Sequence, residues 1–486
     1  MGRIVTMTRK VHHVVFVLLV TLIACGGEGD SKTASGPVNS LIVVTLDTTR
    51  ADHISSYGYP LPTTPVLDAL ADEGLRFERT YAPMGQTLPS HATLFSGQHP
   101  REHGMLENHG TVSPEVETLA EILAEEGFDT AAFTSARVLS RAAGLDQGFH
   151  HYDESPPTGE NYRHTDRSAE MVTDACLSWL GERDSDRPLF LWVHYFDPHF
   201  PFNAPGDVKA GLDVAPIEKL LKNKAKNSVA AGQEPGFTNL KTTARYWRDY
   251  DAEIRFMDQH MGRLLKGLEE QGILPGATVL VVGDHGEGLY DHGERNHGIN
   301  LYDELLRVPM VLVPSLQSQE ASESFPGQVL KEAVALEDVR GALLRLSLGE
   351  SGAGKGRGSN LWDEIVRQGA PRPRPIFVER PHYSAEQLTK RSGKKTPDRY
   401  VFGAMMAVIA EGFKYILGPD GTEELYDLSA DPDELHNLSG EDEERRARLA
   451  GLMAAWMEAH PVEVVAPGDD LDQKRLEELR QLGYGR

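Results

Sequence analysis

Three uninterrupted apolar runs constrain this chain most, because each ends in residues that carry chemistry. Leu41–Leu46 runs into Asp47, Leu189–Tyr195 into Asp197-Pro198-His199, and Thr278–Val282 into Gly283-Asp284-His285-Gly286-Glu287. A strand with no polar alternation must be buried on both faces, as in a parallel sheet covered by helices. Thr130–Phe133 and Met310–Val313 are further runs of this kind. Between them lie helical stripes: Leu67, Leu70 and Leu75, then Leu119, Ile122 and Leu123, then Ile254, Met257, Met261, Leu264 and Leu268. Alternating strand and helix predict an α/β fold: a large, mixed, mostly parallel sheet flanked by helices over residues 40–350.

Ser351–Gly358 is rich in Gly and basic residues, so 351–374 reads as a linker. Beyond it, Ile376–Glu379, Ala407–Ala410 and Tyr415–Leu417 predict short strands. A helix over Glu441–Glu458 should bury Leu449, Leu452, Met453 and Trp456, and a last helix spans Asp470–Leu482. Residues 375–486 are therefore expected to form a smaller α+β subdomain.

At 486 residues, with 40% hydrophobic and 25% charged, the chain has ample core material, which excludes disorder and coiled coil as whole-chain descriptions. Its net charge of −24 argues against nucleic acid as a partner, since phosphate attraction needs a basic footprint. Arg3, Arg9 and Lys10 precede the apolar run Val14–Ala24, the pattern of a signal peptide over residues 1–24. Leu22-Ile23-Ala24-Cys25 resembles a bacterial lipobox, so Cys25 is expected to carry lipid. Residues 25–39 then form a flexible tether to a membrane, in the periplasm or outside the cell. Of the two Cys, only Cys176 remains, in a core stripe. No oligomeric state follows from the sequence.

In open α/β sheets ligands bind beyond the carboxyl ends of the strands, so Asp47, Asp284 and His285 should meet in one crevice. Carboxylates with an imidazole suit a divalent cation. Five of the 19 His fall in two stretches, His194 and His199, then His285, His292 and His297. Thr87-Leu88-Pro89-Ser90-His91 opens a short helix that Gly97 closes, which puts Thr87 where backbone N–H groups favour an anion. From these residues alone, Thr87 is either a simple N-cap or a nucleophile beside the cation.

Leu46-Asp47-Thr48-Thr49-Arg50-Ala51-Asp52, Leu88-Pro89-Ser90-His91-Ala92-Thr93-Leu94-Phe95-Ser96-Gly97, Gly283-Asp284-His285-Gly286-Glu287-Gly288 and Glu424-Leu425-Tyr426-Asp427-Leu428, in that order, resemble the sulfatase family of the alkaline phosphatase-like superfamily. The resemblance covers about residues 40 to 440. It implies that Asp47, Asp284 and His285 ligate one divalent ion (Ca, Mg, Mn or Zn) with Thr87, the nucleophile. It further implies that His199 and His297 contact the bound anionic ester, with His91 beside the nucleophile.

Three positions depart from the family. Thr87 stands where sulfatases carry the Cys or Ser converted to formylglycine, so no formylglycine is expected, and His91 replaces the motif's Arg. Thr48 replaces the second Asp of the usual pair. A formylglycine hydrate expels sulfate by breaking its own C–O bond, which Thr cannot do. A phospho-Thr can be resolved by water at phosphorus, and that favours phosphate or phosphonate esters. An envelope phosphotransferase and a silent binding protein are the alternatives. Asp197 is a candidate for a second metal, although its spacing favours one. Lys219, Lys222, Lys224, Lys226, Lys241, Arg245 and Arg248 form a basic stretch that is either a lid for an anionic substrate or a solvated insertion.

Overall fold

Ser40–Leu46 forms strand β1, and every residue from Leu41 onward is buried. The computed structural model describes residues 39–154, 166–315, 325–352, 354, 359–383 and 403–462. The signal segment with Cys25, the tether before residue 39, Lys390, Arg391, Lys394, Lys395 and the final helix lie outside them.

Seven more strands join β1: β2 (Leu75–Tyr81), β3 (Asp129–Phe133), β4 (His151–Asp153), β5 (Leu189–Tyr195), β6 (Ala277–Gly283), β7 (Arg307–Val313) and β8 (Gln328–Ala335). Their order in the sheet is β4-β3-β5-β1-β6-β7-β2-β8. β1 pairs in parallel with β5 and β6, whereas β7 runs antiparallel to both β6 and β2. Leu41 and Val43 face one core with Leu88, Ala92 and Phe95 of helix Thr87–Ser96. Ile42, Val44 and Leu46 face a second core built on the long helix Leu240–Glu270. These two covered faces are why β1 reads as continuous apolar sequence.

The second unit is a four-stranded antiparallel sheet, ordered β12-β11-β10-β9, of β9 (Ile376–Tyr383), β10 (Gly403–Ala410), β11 (Phe413–Leu417) and β12 (Glu423–Asp427). Helix Glu443–Ala459 seats Leu449 and Met453 on its Met406, Val408, Tyr415 and Leu425 face.

Two expectations need correction. Leu75 is not on a helical stripe: helix Pro65–Glu73 stops at Gly74, where a Cβ would collide with the Leu312 carbonyl, and Leu75 opens β2. The stretch 351–374 is no open linker, since helix Ser359–Gln368 packs Leu361, Trp362 and Ile365 into the first core. The edge strands β4 and β8 and strand β12 escape a search for apolar runs because they alternate or are short. Cys176 is fully buried, and burial raises its thiol pKa, as a core residue requires. Among the described residues no helix is long and apolar enough to cross a membrane.

Candidate active site

Parallel register brings the two aspartates together. Leu46 pairs with Gly283, so the next residues, Asp47 and Asp284, leave neighbouring strands side by side. The Asp47 N–H donates to the Tyr195 carbonyl at 2.9 Å and the Asp284 N–H to the Leu46 carbonyl at 3.2 Å. Thr48 holds φ at 46°, a left-handed value uncommon for a β-branched residue, and this turns its N–H onto Asp284 Oδ1 at 3.0 Å.

Both carboxylates are buried, and neither Asp47 oxygen nor Asp284 Oδ2 has a hydrogen-bond partner. Burial holds both pKa values well above the usual carboxylate range. The charge of Asp166 adds to this at Asp47 and the charge of Asp47 adds to it at Asp284. Two adjacent buried anions left unmatched are a place for a cation. His285 lies in the same group: ligand atoms of Asp47, Asp284 and His285 are all within 4.8 Å of one another. The His285 Nδ1–H donates to the Gly286 carbonyl at 2.9 Å, which leaves Nε2 as a lone pair 3.6 Å from Asp284 Oδ2. Thr87 Oγ1 sits 3.3 Å from that Nε2, at the first residue of helix Thr87–Ser96. These four side chains fit a divalent cation by oxygen count, imidazole tautomer and unmatched charge.

The helix N-terminus is less open to an anion than its sequence implies. The Leu88 N–H donates to Asn108 Oδ1 at 2.9 Å, Pro89 has none, and the Ser90 N–H donates to the Gln86 carbonyl at 3.2 Å. Gln86 is itself clamped, accepting the Asn108 N–H at 2.9 Å and donating to the Tyr383 hydroxyl at 2.5 Å. The start of the Thr87 helix is thus braced by a loop and by the end of β9. Neither Asn108 nor Tyr383 carries a signal in the sequence.

His91 lies beside the cluster, 3.8 Å from Asp284 Oδ2, but both its nitrogens are engaged. Nδ1 donates to the Thr87 carbonyl at 2.8 Å, and Nε2 accepts from Thr45 Oγ1 at 3.0 Å, whose oxygen in turn accepts Trp192 Nε1–H at 2.9 Å. That chain fixes a neutral ring, and burial pushes its pKa well down. His91 therefore positions Thr87 and has no proton to give to a substrate.

His194, not singled out above as a site residue, belongs here. Its Nε2 lies 3.3 Å from Asp47 Oδ2 without a hydrogen bond between them, while Nδ1 accepts the Ser135 N–H at 3.4 Å, so the ring proton is on Nε2. A lone histidine near the carboxyl end of an apolar strand, in register with Thr45, was the available signal.

His199 and His297 meet at the half-buried mouth, with Nε2 atoms 3.3 Å apart. Their Nδ1–H groups donate to the carbonyls of Phe200 at 2.7 Å and Gly85 at 3.1 Å. This arrangement accommodates one proton between the facing Nε2 atoms. Burial lowers the His199 pKa to about 4, so a proton placed there is readily lost. Asp197 faces elsewhere, accepting the Ala169 N–H at 2.7 Å, and joins no metal-type cluster among the described residues. Of the basic stretch, Lys224 is locked between Asp291 and Asp433, so it is not a mobile lid residue.

A family model for sulfatases matches residues 39–347. The chain belongs to the sulfatase family. An N-acetylglucosamine-6-O-sulfatase of Bacteroides thetaiotaomicron is 24% identical over 507 residues, covering 87% of this chain and 86% of that protein. Among solved structures, one in complex with its substrate D-glucosamine-2-N,6-O-disulfate superposes with a TM-score of 0.66 at 19% identity, covering 90% of this chain and 100% of the other. The phosphonate monoester hydrolase of Agrobacterium radiobacter does so with a TM-score of 0.66 at 19% identity, covering 87% and 96%. This sulfatase-family chain is accordingly of the sulfuric ester hydrolase type, with the alkaline phosphatase-like fold.

Proposed function

We propose that this sulfatase-family enzyme hydrolyses phosphate or phosphonate esters through a covalent Thr87 intermediate. The observation that carries this reading is Thr87 Oγ1, 3.3 Å from His285 Nε2 beside the unmatched Asp47 and Asp284 carboxylates. Asp47, Asp284, His285 and Thr87 would hold a divalent cation, which would supply positive charge that stabilises the ionised threonine once its proton has passed to solvent. His285, its proton on Nδ1, keeps Nε2 directed into the site, while His91 holds the Thr87 backbone. Thr87 oxygen forms a bond to phosphorus as the ester P–O bond breaks, and the leaving oxygen takes a proton held between His199 and His297. Water then attacks phosphorus, releases phosphate and restores Thr87.

A threonine offers no hydrate to expel sulfate by C–O cleavage, and the likeness to a phosphonate monoester hydrolase agrees with phosphorus chemistry. Sulfate esters are the second reading, supported by the family and by the relative named for N-acetylglucosamine-6-O-sulfate. The deciding assay compares aryl phosphate, aryl phosphonate monoester and aryl sulfate with Mn²⁺, Mg²⁺, Ca²⁺ or Zn²⁺. Thr87→Ala should lower turnover at least about 10³-fold, and EDTA should abolish it. Preference for the sulfate overturns the phosphorus reading; turnover indifferent to Thr87→Ala and EDTA overturns both. Transfer to an added alcohol in place of water would favour a phosphotransferase. We place the enzyme in the cell envelope, lipidated on Cys25. Palmitate labelling that survives Cys25→Ser would refute that placement.

A further inference from the structure

Arg295 is an unusual cation for so acidic a chain. Its guanidinium lies over the Phe200 ring, 4.6 Å from the centroid, and its side-chain hydrogen bond goes from Nε to Asn296 Oδ1 at 3.3 Å. Among the described residues no carboxylate touches it, although the buried Glu287 feels its charge. Phe200 is 39% exposed, its ring braced edge-on by Phe202 at 5.7 Å. The stack sits beside the reacting centre: Phe200 follows His199 and Arg295 precedes His297 by two residues, and the Nε2 atoms of that His pair are 3.3 Å apart.

A guanidinium held flat on an aromatic ring keeps its N–H edges for a planar anion, bonded by two parallel hydrogen bonds. The net charge of −24 otherwise repels anions, so an arginine with no carboxylate in contact, stacked beside this mouth, supplies a local attraction for them. We infer that Arg295, stacked on Phe200, is a specificity element for esters whose leaving group bears a second anionic group, a carboxylate, sulfate or phosphate. The inference rests on the ester-hydrolase reading of the same site. It narrows the substrate class to compounds with two negative groups, one cleaved and one recognised.

Binding to the full chain carrying Thr87→Ala, loaded with Mn²⁺, tests this without turnover. Calorimetry compares 4-carboxyphenyl phosphate with phenyl phosphate. The carboxylate should tighten Kd about tenfold, as a charge-assisted contact does. Adding Arg295→Gln should bring the two within twofold. Arg295→Lys should not restore the preference, since an ammonium loses the stacked fork. Phe200→Leu, which keeps the arginine and removes its platform, should weaken the preference by severalfold and guards against a misfolded arginine variant. An equal preference with and without Arg295, or no preference in its presence, overturns the inference. Preferential binding without wild-type cleavage of either ester sinks the hydrolase reading instead, and cleavage without preference sinks this inference alone.

Discussion

Two clusters of buried charge flank the loop 284–304, and they follow opposite rules. In the first, Asp47 and Asp284 have no cation. The surrounding histidines are neutral, with burial taking His194 and His285 to about 3. In the second, every anion has a cation. Arg50 pairs with Asp52 at 2.7 Å and Asp291 at 2.6 Å, and Lys224 with Asp291 at 2.9 Å and Asp433 at 2.6 Å. His292 pairs with Glu304 at 2.9 Å, and Lys414 with Asp303 at 2.6 Å and Glu434 at 2.8 Å. Several of these groups line a cavity of about 130 Å³. Burial opposes ionisation in both clusters, yet Arg50 more than offsets it at Asp52, whereas at Asp47 burial and the charge of Asp166 outweigh the Thr87 hydroxyl. Where charge is structural, the chain supplies its own partner; where the partner comes from outside, it leaves the charge unmatched.

The largest effects should come from the unmatched cluster. Asp284→Asn should cut turnover at least about 10³-fold and reduce bound metal, measured by elemental analysis, from one per chain to a small fraction. Without metal the sign reverses. A carboxyl whose folded pKa is raised contributes stability below the ordinary Asp value and loses it as pH rises through the raised value. The EDTA-treated protein should therefore melt at a lower temperature at pH 8 than at pH 5.5, and Asp47→Asn should raise the melting temperature of that form at pH 8. If the metal-free protein gains nothing from Asp47→Asn, the two clusters do not differ in the way described.

Arg50→Leu attacks the matched cluster and should be the costliest change there. It removes the partner of Asp52, whose side chain is 42% exposed, and leaves Asp291 with Lys224 alone, next to the loop whose Glu287 carbonyl Arg50 also holds, at 3.2 Å. Because Asp291 keeps Lys224 and Asp52 can take up water, the cost should fall below the about 3–5 kcal/mol of breaking a fully buried pair, readable as a shift in urea midpoint at unchanged slope. His292→Gln is smaller and depends on pH. Burial lowers the imidazole pKa, but Glu304 outweighs it and holds it at about 9. That raised value gives stability fully present below about pH 6.5 and lost as pH rises through 9, amounting to about 3 kcal/mol at most. Stability of the wild type should fall between pH 7 and 10 more steeply than that of His292→Gln; parallel profiles would place the charge elsewhere.

The central strands and their terminal ligands were legible because burial on both faces leaves an unbroken apolar run, and the crevice lies where such runs end. β1, β5 and β6 could be read to within a residue, and Asp47, Asp284 and His285 follow from them. β2 and β8 could not be read this way, since polar residues interrupt their apolar pattern; β2 reads Leu-Arg-Phe-Glu-Arg-Thr-Tyr. Thr87 was visible as a helix start, but its surroundings were not. Asn108 and Tyr383 reach Gln86 from 22 and 297 residues away, contacts that no local pattern encodes. His91 illustrates the converse. Its place in a family motif marks a reacting position, while Thr45 and Trp192, on two other elements, decide that it is a fixed neutral support.

The smallest effect should be that of Lys224→Met, and its size sharpens the comparison further. Lys224 lies on helix Val214–Ala230, in the basic insertion, and its side chain is 17% exposed. It touches both Asp291 and Asp433, yet Asp291 keeps Arg50 when the lysine is gone. The methionine also keeps the apolar stem packed. The cost should therefore be about 1 kcal/mol, near the value of partly exposed pairs, and the melting temperature should fall by about 2 °C. KM for an anionic ester should be unchanged, because the ammonium is spent on aspartates and not offered to a substrate. A loss as large as that of Arg50→Leu would mean that the insertion, and not the β1 exit, anchors the matched cluster. A raised KM with intact stability would return the insertion to the role of a substrate-recruiting lid.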